Sequence, residues 1–162
     1  MEAVQIIPMR TTTLRKYIKE KSDARISKTA ILHIRNSIET FIDKLNRQLL
    51  IDRSGKSEKT ITATQIQIAY GKTEPSSPPG CFIDQYFPKK PIHVYIKQKI
   101  KDVFCKDTYI SQDALFAYQN VIEIHLSRFV TRMAGQMRHA KRKTIQDADV
   151  MFCSSPTILQ TI

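Results

Sequence analysis

The sequence has no tryptophan, only four glycines and only three cysteines. Cys81, Cys105 and Cys153 lack the paired spacing of a zinc site. A scattered, odd set also implies no disulfide framework, and a reducing compartment fits it best. No apolar run approaches the roughly 20 residues that a membrane helix needs. The opening residues, MEAVQIIPMR, lack the charged start and apolar core of a signal peptide. Glycine-rich Walker and dinucleotide loops are absent. His33, His93, His125 and His139 show no ligand spacing with cysteine or carboxylate, and no serine sits in a nucleophile elbow. The expectation is a protein that is not an enzyme and has no metal or cofactor.

Acidic residues are also scarce against basic ones. Among 162 residues there are 15 Asp plus Glu and 26 Lys plus Arg, a net charge of +11. Such a surface attracts polyanions, of which nucleic acid is the commonest. Hydrophobic residues make up 41%, enough for a packed core. Aromatic residues make up 8% and follow helical stripes, so they read as core and not as base-stacking platforms.

Five of the seven prolines fall between Pro75 and Pro91, within GKTEPSSPPGCFIDQYFPKKP. This stretch breaks regular structure. It also holds Phe82, Ile83, Tyr86 and Phe87, which suits a junction that packs down. Domain limits are therefore set at 1–72, a linker at 73–91, and 92–162.

Each side carries the same order of elements. Residues 13–21 form a short helix with Leu14, Tyr17 and Ile18 on one face, and SDAR breaks it. Ser27 is the N-cap of the next helix. Ile31, Ile34, Ile38, Phe41, Ile42, Leu45 and Leu49 then recur at spacings of three and four, the mark of a helix face. No Pro or Gly interrupts residues 27–53, so this helix is about 40 Å long at 1.5 Å per residue. RSGKSEK ends it, and Thr62 caps a short helix with Ile66 and Ile68. On the second side Ile92, Ile96, Ile100 and Val103 share a stripe, CKDTY breaks it, and Ser111 caps a long helix from Leu115 to Met137. HAKRK ends that helix, and residues 146–152 form a short last one. Gly135, inside the long helix, is taken as a close-packing point. The repeat predicts an all-α chain in which the two long helices cross and bury each other's stripes. An ordinary helical bundle with accidental symmetry is the alternative.

HAKRKTIQDAD at 139–149 resembles the second loop and last helix of core histones, and residues 117–145 are similar, without gaps, to the long helix of histone three. RIS at 25–27, followed by KTITATQIQIA at 59–69, resembles histone four, as does TLRKYIKE at 13–20. The same first half also resembles histone two-B. The resemblance implies a histone doublet, of a kind known from large DNA viruses and some archaea: two histone folds, each short helix, long helix, short helix, paired head-to-tail in one chain.

This resemblance implies sequence-nonspecific binding, wrapping and compaction of double-stranded DNA in chromatin or a virion nucleoid, with a host nucleus or cytoplasmic viral factory as the location for a viral chain. Helix N-termini and basic side chains would meet phosphates. Arg25 takes the position of a minor-groove arginine, with Lys59 and Thr60 beside it from the second loop. Arg15, Lys16 and Lys19 on the first helix, and Lys141, Arg142, Lys143 and Thr144 in the second half, take phosphate-contact positions. Arg142 and Asp149 match a clamp that braces the second loop. His139 and Asp149 match residues that join two copies through the second half, so that His139→Glu would give a monomeric doublet by light scattering. A second histone pair or doublet is a further implied partner.

Several residues depart from the pattern. Tyr109 stands where a first-loop arginine is expected. Glu58 and Gln65 occupy the clamp positions of the first half, so no clamp is expected there. No long basic tail is present at either end. The competing function is a histone-fold subunit of a transcription, centromere or repair complex acting mainly through protein contacts.

Overall fold

The structure, a computed structural model, describes residues 7–54, 59–74, 85–104 and 108–154. Glu58, Cys81, Phe82, Ile83 and Cys105 lie outside these residues. The described chain is mostly helical: α1 Thr11–Ser22, α2 Lys28–Asp52, α3 Ala63–Thr73, α4 Lys89–Val103, α5 Gln112–His139 and α6 Asp147–Ser154. Four two-residue strands accompany them: β1 Arg25–Ile26, β2 Thr60–Ile61, β3 Tyr109–Ile110 and β4 Thr144–Ile145.

The helix starts follow side-chain chemistry. Ser27 Oγ accepts the Ala30 N–H at 3.2 Å, and Ser111 Oγ accepts the Ala114 N–H at 3.1 Å. Each hydroxyl satisfies a first-turn donor that has no partner within the helix. A capping box opens α3: Thr62 accepts from the Gln65 N–H, and the Gln65 side chain accepts from the Thr62 N–H. Pro91 sits in the first turn of α4, where its missing N–H removes no helical bond. At its far end α1 stops on Asp23, whose φ of 53° is left-handed.

The chain divides into two compact units that cut across the sequence halves. The first comprises Met1–Glu39 and His125–Ile162, the second Thr40–Ile124. In the first unit β1 pairs in parallel with β4, Arg25 opposite Thr144 and Ile26 opposite Ile145. Ile26 and Ile145 point into a core with Leu14, Ile18 and Ile34. Ahead of α1, Ile7 and Met9 are also buried. Arg35 holds this segment by donating twice to the Met9 carbonyl, at 3.1 and 2.6 Å, while the Ile7 N–H donates to Glu39. Arg138, late in α5, donates to the Ser22 carbonyl at 2.9 Å.

In the second unit β2 pairs in parallel with β3, Thr60 opposite Tyr109 and Ile61 opposite Ile110. Phe41, Leu45, Ile66 and Ile100 are in its core. The buried Tyr118 hydroxyl donates to Asn46 Oδ1, tying α5 to α2 within this unit. The end of the junction does pack down. Phe87 is buried, its carbonyl accepts from Gln119, and the Tyr86 N–H donates to Glu123 at 2.6 Å. Glu123 is itself fully buried, and a second bond from Gln119 Nε2 at 2.8 Å helps offset the cost of removing its carboxyl from water.

Gly135 is not a close-packing point. It is exposed, and a Cβ built there meets nothing within 4 Å. Among the described residues no helix is long and apolar enough to cross a membrane.

Candidate nucleic-acid interface

The first unit gathers basic side chains around β1 and β4. Strand alternation buries Ile26 and leaves Arg25 exposed. The Arg25 N–H donates to the Lys143 carbonyl at 3.2 Å, and the Ser27 N–H to the Ile145 carbonyl at 3.0 Å. These bonds set Arg25 beside the loop that carries Lys141, Arg142 and Lys143, with Lys141 and Lys143 exposed and Thr144 half-buried. Lys141 has a φ of 59°, in the left-handed region where glycine is the usual helix terminator. A lysine there costs about 1 kcal/mol of backbone strain, yet it keeps a cation at the end of α5. On α1, Arg15, Lys16 and Lys19 are exposed, and Arg15 Nη1 donates to the Ile26 carbonyl at 3.0 Å.

Arg142 is held in place by a two-pronged ion pair. Its Nη1 and Nη2 donate to the two Asp149 oxygens at 2.7 Å each, and Nη1 also reaches the Thr144 carbonyl at 3.2 Å. The Gln146 N–H donates to Asp149 Oδ2 at 2.8 Å. Burial alone would push the Asp149 carboxyl up. The hydrogen bonds from Arg142 and the Gln146 N–H, with the Arg142 charge, outweigh it and hold the carboxyl below its ordinary value. Asp149 is only 1% exposed and is turned into its own chain's brace, whereas His139 is exposed at the end of α5.

The second unit repeats the arrangement with different residues. The Tyr109 N–H donates to the Lys59 carbonyl at 2.8 Å, and the Ser111 N–H to the Ile61 carbonyl at 3.1 Å. Lys59, Thr60 and Tyr109 are exposed. Lys59 and Thr60 fall in the second unit, whereas Arg25 falls in the first. The strand partner of Arg25 is Thr144, and that of Thr60 is Tyr109. Nor is the first half without a brace. Arg53 Nη1 donates to Gln65 Oε1 at 2.8 Å and to the Thr60 carbonyl at 3.2 Å. Gln65 thus stands to Arg53 as Asp149 stands to Arg142, with an amide in place of a carboxylate.

Sequence reasoning missed Arg53, whose signal is an arginine in the turn after α2 with a hydrogen-bonding side chain at the third position of α3. It also missed Asp147. That carboxylate accepts from Thr29 Oγ1 at 2.6 Å and Ser27 Oγ at 3.3 Å, and lies 3.9 Å from His33 Nε2. It places one negative charge at the start of α2, within an otherwise cationic group. Among the described residues no group of three His, Cys, Asp or Glu is arranged to hold a metal ion.

The family model of the core histone domain, the one shared by histones two-A, two-B, three and four, matches residues 87–153, so this segment is a histone-fold domain. The chain is similar to the crystal structure of the histone from Methanopyrus kandleri, at 17% identity and a TM-score of 0.62. That likeness covers 91% of this chain and 96% of the archaeal one. No curated protein matches the sequence.

Proposed function

We propose that this chain binds duplex DNA without sequence preference and wraps and compacts it, as a nucleosome-like architectural protein with two histone folds in one chain. The observation that carries the reading is the β1–β4 pairing. It sets exposed Arg25 beside the loop that carries Lys141 and Lys143, residues more than a hundred positions away in sequence. Cations concentrated on a backbone fixed by hydrogen bonds suit phosphates, and neutralising phosphates releases counterions whatever the base sequence. The histone-fold domain at 87–153 and the likeness to an archaeal histone over most of the chain support this role.

A second histone fold in the first half, divided from the other at 73–91, is supported by the repeated order helix, strand, helix, strand, helix and by the matching braces of Arg53 and Arg142. Arg15, Lys16, Lys19, Arg25, Lys141, Arg142, Lys143 and Thr144 form one contact group, and Lys59 and Thr60 belong to another. Self-association through the second half would use His139, with Asp149 acting by bracing the loop behind it. A chromatin or nucleoid location follows from the same reading; a viral source rests on the sequence resemblance alone.

Nuclease digestion of long DNA bound by the full chain tests this. Protection of tens of base pairs at no fixed sequence, with affinity falling steeply as salt rises, is the expected result. Arg25→Ala should weaken binding on every sequence and reduce the salt slope by about one. Arg25→Ala and Arg142→Ala proteins that bind with unchanged affinity and slope would overturn the assignment. One preferred site, or little affinity for DNA, would instead favour a histone-fold subunit that acts through protein contacts.

A further inference from the structure

Three consecutive residues at the end of the junction are tied to one stripe of α5. Gln85 Nε2 donates to the Phe116 carbonyl at 3.2 Å, the Tyr86 N–H donates to Glu123 at 2.6 Å, and the Phe87 carbonyl accepts from Gln119 Nε2 at 2.9 Å. Positions 116, 119 and 123 follow the spacing of a single helix face. Phe87 is buried behind these bonds, and its ring meets that of Tyr86 edge to face at 5.3 Å.

His93, in the second turn of α4, packs against the same stripe. It is 7% exposed, and its ring stands edge-on to Phe116, with centroids 5.2 Å apart and planes at 89°. Its Nε2 is buried without a hydrogen-bond partner, as is Gln119 Oε1. The charged groups that act on the imidazole are Lys89 and Lys97 of its own helix, both cations. From α5 it meets Phe116 and Gln119, and Gln119 Nε2 links the Phe87 carbonyl to the Glu123 carboxylate. Burial is the main force holding the imidazole below its ordinary value. Gln119 opposes it in part, and the two lysines reinforce it.

We propose that His93 is a pH-sensitive latch for the junction: the neutral ring lets residues 85–87 and the start of α4 lie on α5, and charging the ring in mild acid frees them. An imidazolium in this place is stripped of water and stands near two ammonium groups, with no carboxylate among the groups that act on it. In the open form the ring reaches water and takes up its proton at the ordinary histidine value of about 6.5. The open form therefore binds the proton first. The closed form loses stability as pH falls below that value, and the loss levels off below the lowered value of the closed form. The opening is local. His93, residues 85–87 and their partners on α5 all belong to the second unit, whereas the cationic group around β1 and β4 belongs to the first.

Hydrogen exchange of the full chain, read by peptide at about pH 7.5 and about pH 5.5 and corrected for the intrinsic pH dependence of exchange, tests this. Protection of residues 85–96 should fall severalfold in acid, up to about tenfold, the factor by which an ordinary imidazole favours its charged form at about pH 5.5. Protection of residues 125–139 should stay constant. His93→Phe should give residues 85–96 equal protection at both pH values, and His93→Gln should do the same where the phenylalanine variant fails to fold. Each protein is compared with itself, so a change in basal stability drops out. Glu123→Gln should keep the fall. Equal protection at both pH values in the parent chain overturns the proposal, as does a fall that extends over residues 125–139. A fall that survives in the His93 variants and disappears in Glu123→Gln also overturns it, and assigns the acid response to the carboxylate.

Discussion

At the scale of single residues, the two braces show what a carboxylate adds to an otherwise equivalent geometry. Arg142 with Asp149 and Arg53 with Gln65 make corresponding hydrogen bonds to a third helix position and a strand carbonyl. Only the first pair carries charge on both partners. Asp149 is held below its ordinary carboxyl value in the fold, so the unfolded chain binds its proton first as pH falls. Its stabilising contribution is complete above the ordinary carboxyl pKa and is lost as pH falls through the depressed value. Asp149→Asn should lower the melting temperature at neutral pH and flatten the acid limb of stability against pH. Thermal melts of both proteins across that range check this; parallel acid limbs would remove Asp149 as a source of the pH dependence. The Asp149 brace was legible because the resemblance marks both of its members. The Arg53 brace was not, because its donor lies twelve residues from its acceptor, whereas Arg142 lies seven from Asp149. No fixed spacing reveals both.

Among the elements, the helices were legible and the strands were not. Apolar spacing of three and four located α2 and α5, and Ser27, Thr62 and Ser111 located helix starts to within a residue. Two-residue strands are too short for an alternating pattern to register, and each exists only because its partner supplies the hydrogen bonds. The N-terminal segment was missed for a similar reason. Ile7 and Met9 are buried through Arg35 and Glu39, which read in sequence as ordinary polar positions of α2. Gly135 belongs to this scale as well. It lies in the interior of α5 with open space beyond its Cα, so nothing offsets the weak helix propensity of glycine. Gly135→Ala should stabilise the protein by about 0.5–1 kcal/mol in denaturant unfolding. A destabilised variant would mean that α5 needs to bend or to admit a partner at that point.

For the whole molecule, the compact units are assembled from both halves of the sequence. Each unit has a parallel strand pair with one strand from the first half and one from the second. Residues 1–72 alone lack the partners of β1 and β2, and residues 92–162 alone lack those of β3 and β4. Neither fragment should unfold cooperatively as a monomer, and mixing the two should restore the helical signal and a single transition. Circular dichroism and denaturant titration of each fragment, alone and mixed, decide this. A fragment that unfolds cooperatively as a monomer would show that the units are not the folding units of the chain.

Helix content, helix starts, the basic balance and the candidate loop residues were all set by the amino-acid order itself, because propensity, capping and charge act over a few neighbouring positions. Which loop meets which was decided only in three dimensions. Arg25 joining Lys141 and Lys143, Lys59 joining Tyr109, and Arg53 reaching Gln65 all depend on hydrogen bonds and buried isoleucines contributed by distant parts of the chain. No local pattern encodes such a choice, since it follows from where the apolar stripes find one another.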